Sequence, residues 1–508
     1  MSPLTTAADA TSVFGVLLVA ATVLPVVGVL IALASGGRYA ERVALVLFPV
    51  GLAVATAIAA VVWHGGRSVQ YLLGGWSPPL GLALRADGPA AVMLVVSALV
   101  VCGAGLYARS EFGARERESR ASLVFWILLL AVWGALNLVF LGGDLFNLYV
   151  ALELLTFGAV PLVSLGGRAE TLRAALRYLI FALLGSVLYL LGTAILYGAH
   201  GTLDLELLAA QARAEPVVLA AAALMTVGLL AKTALFPLHL WLPPAHAGAP
   251  AAASAVLSAL VVKGSFFLLI RLWFDALPGL LPAHAAQLLG VLGATAILVG
   301  SVLALQQARL KLLIAYSTVA QIGYLFFVFP LAAALPVGEI WSSTAWTGGW
   351  MQLLSHAFAK AAMFMAAGLI AEAVGHDRIA GLEGVGRLLP VCAVAFGLGG
   401  LSLMGVPPSG GFVAKWLLLS AAMESGQWWW ALVMLAGGLL AGGYVFGVLG
   451  RFASRGEIQA TPPRIVATRR QAIALALALL AVGLGFVPPE PSTLLQIGRP
   501  EAVAVEGP

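Results

Sequence analysis

The sequence predicts an all-α polytopic membrane protein of about fourteen transmembrane helices, and two observations carry that prediction. Hydrophobic residues make up 61% of its 508 residues and charged residues only 10%, a balance far from that of soluble domains. The apolar residues also fall into stretches of about 20 or more, separated by short polar turns, which is the length a helix needs to cross the hydrocarbon core. A closed barrel would instead alternate over segments of about ten residues.

Spans are predicted to start near residues 12, 40, 89, 121, 145, 172, 217, 250, 286, 311, 350, 389, 428 and 470. The first, from about Ser12 to Ala34, follows no basic residue and is too long for a signal h-region, so it reads as a retained helix with no targeting segment. The odd-numbered loops carry Arg38, Arg42, Arg109, Arg115, Arg117, Arg120, Arg168, Arg173, Arg177, Arg309, Lys311, Arg378, Arg387, Arg451, Arg455, Arg464, Arg469 and Arg470. The even loops and the C-terminal tail hold only Arg67, Arg85, Arg213, Arg271 and Arg499. That asymmetry puts the odd loops in the cytoplasm and both termini outside. The remaining four of the 27 basic residues are all lysines inside apolar segments: Lys232, Lys263, Lys360 and Lys415. Such a division suits their chemistry, since an ammonium changes protonation state when buried and a guanidinium does not.

A charge at mid-membrane costs about 2.5–3.5 kcal/mol on insertion scales, so pairing, hydration or neutralisation must offset four buried lysines. Glu153, deep in the fifth span, is the clearest acidic counterpart, with Asp144 nearer that helix's end. Lys263 and Lys360 lie too far inside their spans to snorkel to an interface. Lys232 is followed by Pro237, and Lys415 is preceded by Pro407 and Pro408, which free the carbonyls of Leu403 and Met404. Unwound backbone at membrane depth is tolerated only where protein buries it or it lines a watery cavity, and paired broken helices point to a transporter's ion site. The two breaks fall in the seventh and twelfth spans, five spans apart, which points to two repeats of five spans each. One membrane domain, 1–508, is therefore expected: three N-terminal helices over 1–110, repeats over 120–275 and 286–450, and a last helix over 470–487.

Further polar residues extend the set. His356 and Lys360 share a helix face, and His239 lies two turns beyond Lys232. Ser317, Gln321 and Tyr324 form a one-face stripe able to hold water, whereas His246 lies close to a loop and is the weaker histidine candidate. Cys102 and Cys392 sit in apolar runs, where they read as packing residues. With no nucleotide-binding motif either, no cofactor, metal or nucleic-acid partner is expected, and no catalysis by this chain alone.

The residues resemble a known family, the antiporter-like membrane subunits shared by complex I, membrane-bound hydrogenases and multisubunit Mrp sodium/proton antiporters. The resemblance covers nearly the whole chain. It rests on Gly74-Gly-Trp76 with Asp87 downstream, Asp144-Leu-Phe-Asn-Leu-Tyr-Val-Ala-Leu-Glu153, Phe236-Pro-Leu-His-Leu-Trp-Leu-Pro243 with Ala245-His246, Leu313-Ile-Ala-Tyr-Ser-Thr-Val-Ala-Gln-Ile-Gly-Tyr324, His356-Ala-Phe-Ala-Lys360 and Gly405-Val-Pro-Pro408. It implies fourteen helices with two inverted five-helix repeats, Glu153 as the fifth-helix glutamate paired with the seventh-helix lysine Lys232, Lys263 as the eighth-helix lysine, Lys360 as the central lysine after a histidine, and Lys415 as the residue on the second broken helix. Asp144-Leu-Phe-Asn147, the length and the outward termini are most similar to the Mrp D-type subunit. Two departures are Pro243-Pro244, where an acidic residue usually follows the proline, and the loosely matching Ala247-Gly-Ala-Pro250.

The expectation is thus a subunit of a monovalent cation/proton antiporter in a bacterial inner membrane, partnered by other membrane subunits and the lipid bilayer and moving protons and Na+ or K+. Glu153, Lys232, Lys263, Lys360, Lys415, His239 and His356 would form its proton pathway, with the helix breaks at Pro237, Pro407 and Pro408. The competing readings are a proton-pumping subunit of a complex I-like NADH:quinone oxidoreductase or a hydrogenase, a stand-alone solute transporter, and a passive scaffold.

Overall fold

The computed structural model describes residues 13–113, 120–332, 340–456, 465–488 and 494–499. Ser12, Arg115, Arg117, Arg464 and the two termini lie outside the described residues.

Among the described residues, thirteen helices are long and apolar enough to cross a membrane. In order, the first six spans are Val13–Ser35, Gly37–Gly65, Gly88–Phe112, Arg120–Leu141, Leu145–Ser164 and Ala169–His200. The seventh is Pro216–Thr233, continued after a break by the short helix Leu242–Gly248. Then come Ala251–Ala276, Ala283–Leu305, Leu310–Ala332 and Ile340–Val374. The twelfth span is split into Pro390–Met404 and Gly410–Glu424, each short of the length needed to cross alone. Trp428–Ala453 and Thr468–Gly483 complete the set of fourteen.

Both breaks lie where the prolines predict them. The seventh span stops at Thr233 because Ala234 adopts a left-handed conformation (φ 58°), and its N–H caps the carbonyls of Leu230 and Ala231. Pro237 then prevents the helix from resuming. Gly405 (φ 83°) caps the first half of the twelfth span in the same way, donating to Leu401 and Ser402. After Pro407-Pro408, Ser409 restarts the helix by accepting the Phe412 N–H at 3.1 Å.

The loops sort into two faces in the order expected from parity. On one face, Arg109 pairs with Glu41 at 2.8 Å, Arg309 with Asp377 at 3.0 Å, Arg451 with Glu383 at 2.6 Å and Arg470 with Glu372 at 2.7 Å, and Lys311 donates to Ala249 O at 3.1 Å. All of these residues lie at odd loops or the helix ends next to them. On the other face, Leu84 bridges Gly142 and Asp144 bridges Asp204. There Arg85 pairs with Glu206 at 3.6 Å, and Gly88 N–H donates to Ile497 O in the C-terminal segment at 2.9 Å.

Three details differ from the sequence reading. Arg271, assigned there to an even loop, lies buried within the last, π-helical turn of the eighth span, 4% exposed, so the buried cations are not all lysines. The eleventh span begins at Ile340 rather than near residue 350, because Ser342, Ser343 and Thr347 are absorbed by helix and tail hydrogen bonds such as Thr347 Oγ1 to Ser343 O at 3.1 Å. Finally, an antiparallel hairpin of Val69–Leu72 and Ala83–Ala86 covers the even face between the second and third spans.

Candidate functional site

The first cluster lies between the fifth, sixth and seventh spans. Gly185 and Gly228 pack backbone to backbone, a Cβ on Gly228 falling 2.3 Å from Gly185 O, so the sixth and seventh spans approach closely enough to meet the fifth around a small polar pocket. In it, Lys232 Nζ donates to Glu153 Oε1 at 3.2 Å and to Thr156 Oγ1 at 3.0 Å, and Ser186 Oγ donates to the same carboxylate oxygen. The expected Glu153–Lys232 pair is therefore formed, in the last turn before the break.

The eighth span is buried along its whole length, and Lys263 is fully enclosed. The span opens into a π-helical turn over Leu257–Val261, and there Lys263 Nζ donates to Ser258 O. Ser258 Oγ meets Thr318 Oγ1 of the tenth span at 2.9 Å, and Thr318 Oγ1 donates to Ile314 O at 3.0 Å. Lys360 Nζ donates to that same carbonyl at 2.9 Å and to Ser317 Oγ. Lys263 and Lys360 are thus linked through Ser258, Thr318 and the Ile314 carbonyl of the eighth and tenth spans.

The polar stripe of the tenth span leads onward. Gln321 accepts from Gln352 Nε2 at 2.9 Å and donates to Leu403 O at 3.1 Å, one of the two carbonyls freed by the prolines. Lys415 Nζ donates to Leu403 O as well, at 2.5 Å, and lies 4.3 Å from the centre of the Tyr324 ring. The stripe predicted to hold water therefore makes direct contacts, with Tyr324 OH donating to Met434 O at 3.2 Å.

The histidines divide differently from expectation. His356 is buried as expected, with both ring nitrogens unpartnered among the described residues and within electrostatic range of Lys263, Lys360 and Lys415. His239 stacks on Phe236 at 5.4 Å, at the break itself. His246, judged the weaker candidate, is 1% exposed: the short helix Leu242–Gly248 turns it inward between Trp241 and Phe364, within electrostatic range of Lys263 and Lys360. Both of its ring nitrogens are without a hydrogen-bond partner among the described residues. The sequence signal was available in its spacing from Pro243, since a proline at the start of a helical turn restarts the helix rather than opening a loop.

Comparison with known proteins gives a consistent answer. Residues 142–441 match the family described as NADH:quinone oxidoreductase/Mrp antiporter, TM. The N-type subunit of NADH-quinone oxidoreductase from Desulforudis audaxviator is 34% identical over 388 residues, 76% of this chain and 75% of that one. The D-type subunit of the Na+/H+ antiporter from Alkalihalophilus pseudofirmus is 30% identical over 403 residues, 77% of this chain and 76% of that one. Among solved structures, a chain of the Mrp complex from Dietzia sp. superposes with a TM-score of 0.82 at 27% identity, over 92% of this chain and 94% of that one. A chain of Thermus thermophilus respiratory complex I gives 0.74 at 25% identity, over 94% and 98%. With its spans, its two broken helices and its buried lysines in place, the chain belongs to the NADH:quinone oxidoreductase/Mrp antiporter family of membrane subunits.

Proposed function

We propose that the chain is a proton-translocating subunit of a multisubunit monovalent cation/proton antiporter, carrying protons laterally along Glu153, Lys232, His246, Lys263, Lys360, His356 and Lys415. The observation that supports this most is a pair of hydrogen-bonded runs, one from Lys263 to Lys360 and Ser317 through Ser258, Thr318 and Ile314 O, the other from Gln321 to Lys415 through Leu403 O, with Ser317 and Gln321 one turn apart on the tenth span. In such a row each lysine can hand a proton to the next only after its neighbour has lost one. Burial disfavours the ammonium, and Glu153 favours it at Lys232. Opening the Glu153–Lys232 pair therefore pushes a proton from Lys232 across His246 toward Lys263, and closing it draws the next one in. His239 sits at the hinge of the first break and adjusts it.

The same reading takes the odd face as cytoplasmic, the two five-span halves, 120–275 and 286–450, as inverted repeats, and a bacterial plasma membrane as the location. The chain has no redox or nucleotide motif, and it works as one subunit of a larger assembly with other membrane subunits. The counter-transported ion is Na+ or K+.

Glu153→Ala and Lys232→Ala, placed in the assembled complex, are expected to abolish proton uptake into membrane vesicles followed with a pH-sensitive dye. Full transport in both variants overturns the proposal. A second reading, a proton-pumping subunit of a quinone oxidoreductase, is favoured by the 34% identity to an N-type subunit of that enzyme. Mass spectrometry of the purified complex separates the two, since it finds either iron–sulfur and flavin subunits or only further membrane antiporter subunits.

A further inference from the structure

On the even face, outside the lysine row, lies a second buried charged cluster. Arg271 Nη1 donates to Asp87 Oδ2 at 2.5 Å and to Asp275 Oδ2 at 2.6 Å, and all three residues are buried. Two carboxylates thus share one guanidinium. Arg271 Nε, also buried, has no partner among the described residues, and a cavity of about 10 Å³, the size of one water, lies among Asp87, Arg271, Asp275, Phe267, Trp350 and Gly498.

Both ways out of this cluster are closed. Toward the membrane interior, Phe267 packs under Arg271, whose guanidinium lies 4.7 Å from the ring centre, and against Trp350 and Phe140 at 5.7 and 5.1 Å. Lys263 is on the far side of that aromatic layer, eight residues back along the same helix, or about 12 Å. Toward the medium, the C-terminal segment Leu494–Arg499 lies across the cluster. Gly498 adopts φ 79° directly over Asp87, where a Cβ would fall 2.5 Å from the Asp87 Cβ. The segment is held by hydrogen bonds, Gly88 N–H to Ile497 O at 2.9 Å, Trp346 Nε1 to Leu495 O at 2.9 Å, Gln496 Nε2 to Thr347 Oγ1 at 2.6 Å and Arg499 Nη2 to Ser342 Oγ at 2.6 Å, and by Leu495, which is buried in the apolar core with Leu494 and Ile497 packed beside it.

We propose that Asp87, Arg271 and Asp275 form the even-face exchange site through which protons pass between the lysine row and the medium, with Phe267–Trp350 as its inner gate and Leu494–Arg499 as its outer gate. A proton arriving on Asp275 neutralises it and releases its hydrogen bond from the guanidinium. Arg271 then pairs with the remaining carboxylate alone. The proton leaves when the C-terminal segment lifts and water reaches the acid, restoring the two-carboxylate arrangement. Arg271 keeps its own proton throughout, so it holds the site's charge without competing for the cargo.

This inference rests on the proton-pathway reading above. It is tested in membrane vesicles from cells carrying Gln496→Cys with Thr347→Cys, in a Cys102→Ala, Cys392→Ala background and in the assembled complex. Bridging the two thiols with a short reducible bis-thiosulfonate is expected to stop proton transport, and reduction to restore it. A bridged chain, verified by mass spectrometry, that transports at the unbridged rate overturns the exchange site, and with Glu153→Ala inactive it leaves the pathway reading standing. If the paired cysteines prevent assembly, Trp346→Phe with Arg499→Ala loosens the same segment. Asp87 and Asp275 are then expected to become labelled by a water-soluble carbodiimide, and labelling no greater than in the wild type overturns the proposal.

Discussion

Lys415 Nζ and Gln321 Nε2 donate to the same oxygen, the Leu403 carbonyl left free by the break in the twelfth span, at 2.5 and 3.1 Å. The twelfth-span break thereby provides the acceptor on which the last lysine of the row rests, and it ties that lysine to the tenth span. A Lys415→Arg variant keeps the charge and the hydrogen bond but cannot release its proton at physiological pH. It is expected to retain assembly and thermal stability while proton transport falls to the background of a Lys415→Ala variant. Dye-quench assays beside a melting curve of the purified complex check it.

The Ser258–Thr318 hydroxyl contact at 2.9 Å joins the eighth span to the tenth between Lys263 and Lys360. Thr318→Val and Ser258→Ala should each lower stability by only about 1 kcal/mol, the usual net worth of one hydrogen bond. Transport should fall well beyond what that predicts, and the double variant should be no worse than either single one. Additive losses would show that the two hydroxyls act separately.

Gly228 offers a test of packing rather than of proton chemistry. A methyl group there must move the Gly185 backbone, because its Cβ would lie 2.3 Å from Gly185 O. Gly228→Ala is expected to destabilise the chain by about 1–3 kcal/mol, as overpacking does, and to lose transport by parting Ser186 from Glu153. Thermal denaturation and vesicle transport should fall together, in contrast to Lys415→Arg.

The fourth expectation concerns pH. Burial acts to raise Asp87, but the charge and hydrogen bond of Arg271, helped by Arg85 and the Ala90 N–H, outweigh it and hold the carboxyl below its usual range. A carboxyl held low in the folded state adds stability that is complete above its unfolded value of about 3.9 and is lost as pH falls through the lower folded value. Melting temperature in detergent should therefore be insensitive to this pair above about pH 5 and drop at lower pH. In Asp87→Asn the low-pH drop should shrink and the neutral-pH stability should fall by about 3–5 kcal/mol, the range for breaking a buried pair.

Much of this site was legible before folding was considered. A lysine deep in an apolar run admits few interpretations, and prolines mark where backbone carbonyls are set free, so Glu153–Lys232 and Leu403–Lys415 were both within reach of sequence reasoning. Arg271 was not, and His246 was only through its spacing from Pro243. Each sits near the end of an apolar stretch, where a loop is the natural inference, and each is drawn inward by irregular helix: a proline-initiated turn for His246 and a π-helical turn for Arg271. Hydropathy averages over such turns and carries no trace of them. The closing of the even face by Leu494–Arg499 was equally hidden, because its contacts are mostly backbone carbonyls and short polar side chains.

The eighth span is buried by the rest of the chain over nearly its whole length and carries Lys263 and Arg271 with it. It bonds to the third span through Asp87, to the tenth through Ser258 and Thr318, and packs on the eleventh through Phe267 and Trp350. During synthesis this helix leaves the ribosome before the tenth and eleventh spans exist, so it has no finished environment to settle into. The cell's insertion machinery must hold it, or the early helices must shelter it, until the second half arrives. A chain cut after residue 280 would therefore keep both carboxylates on Arg271 but leave Lys263 without the tenth and eleventh spans that enclose it.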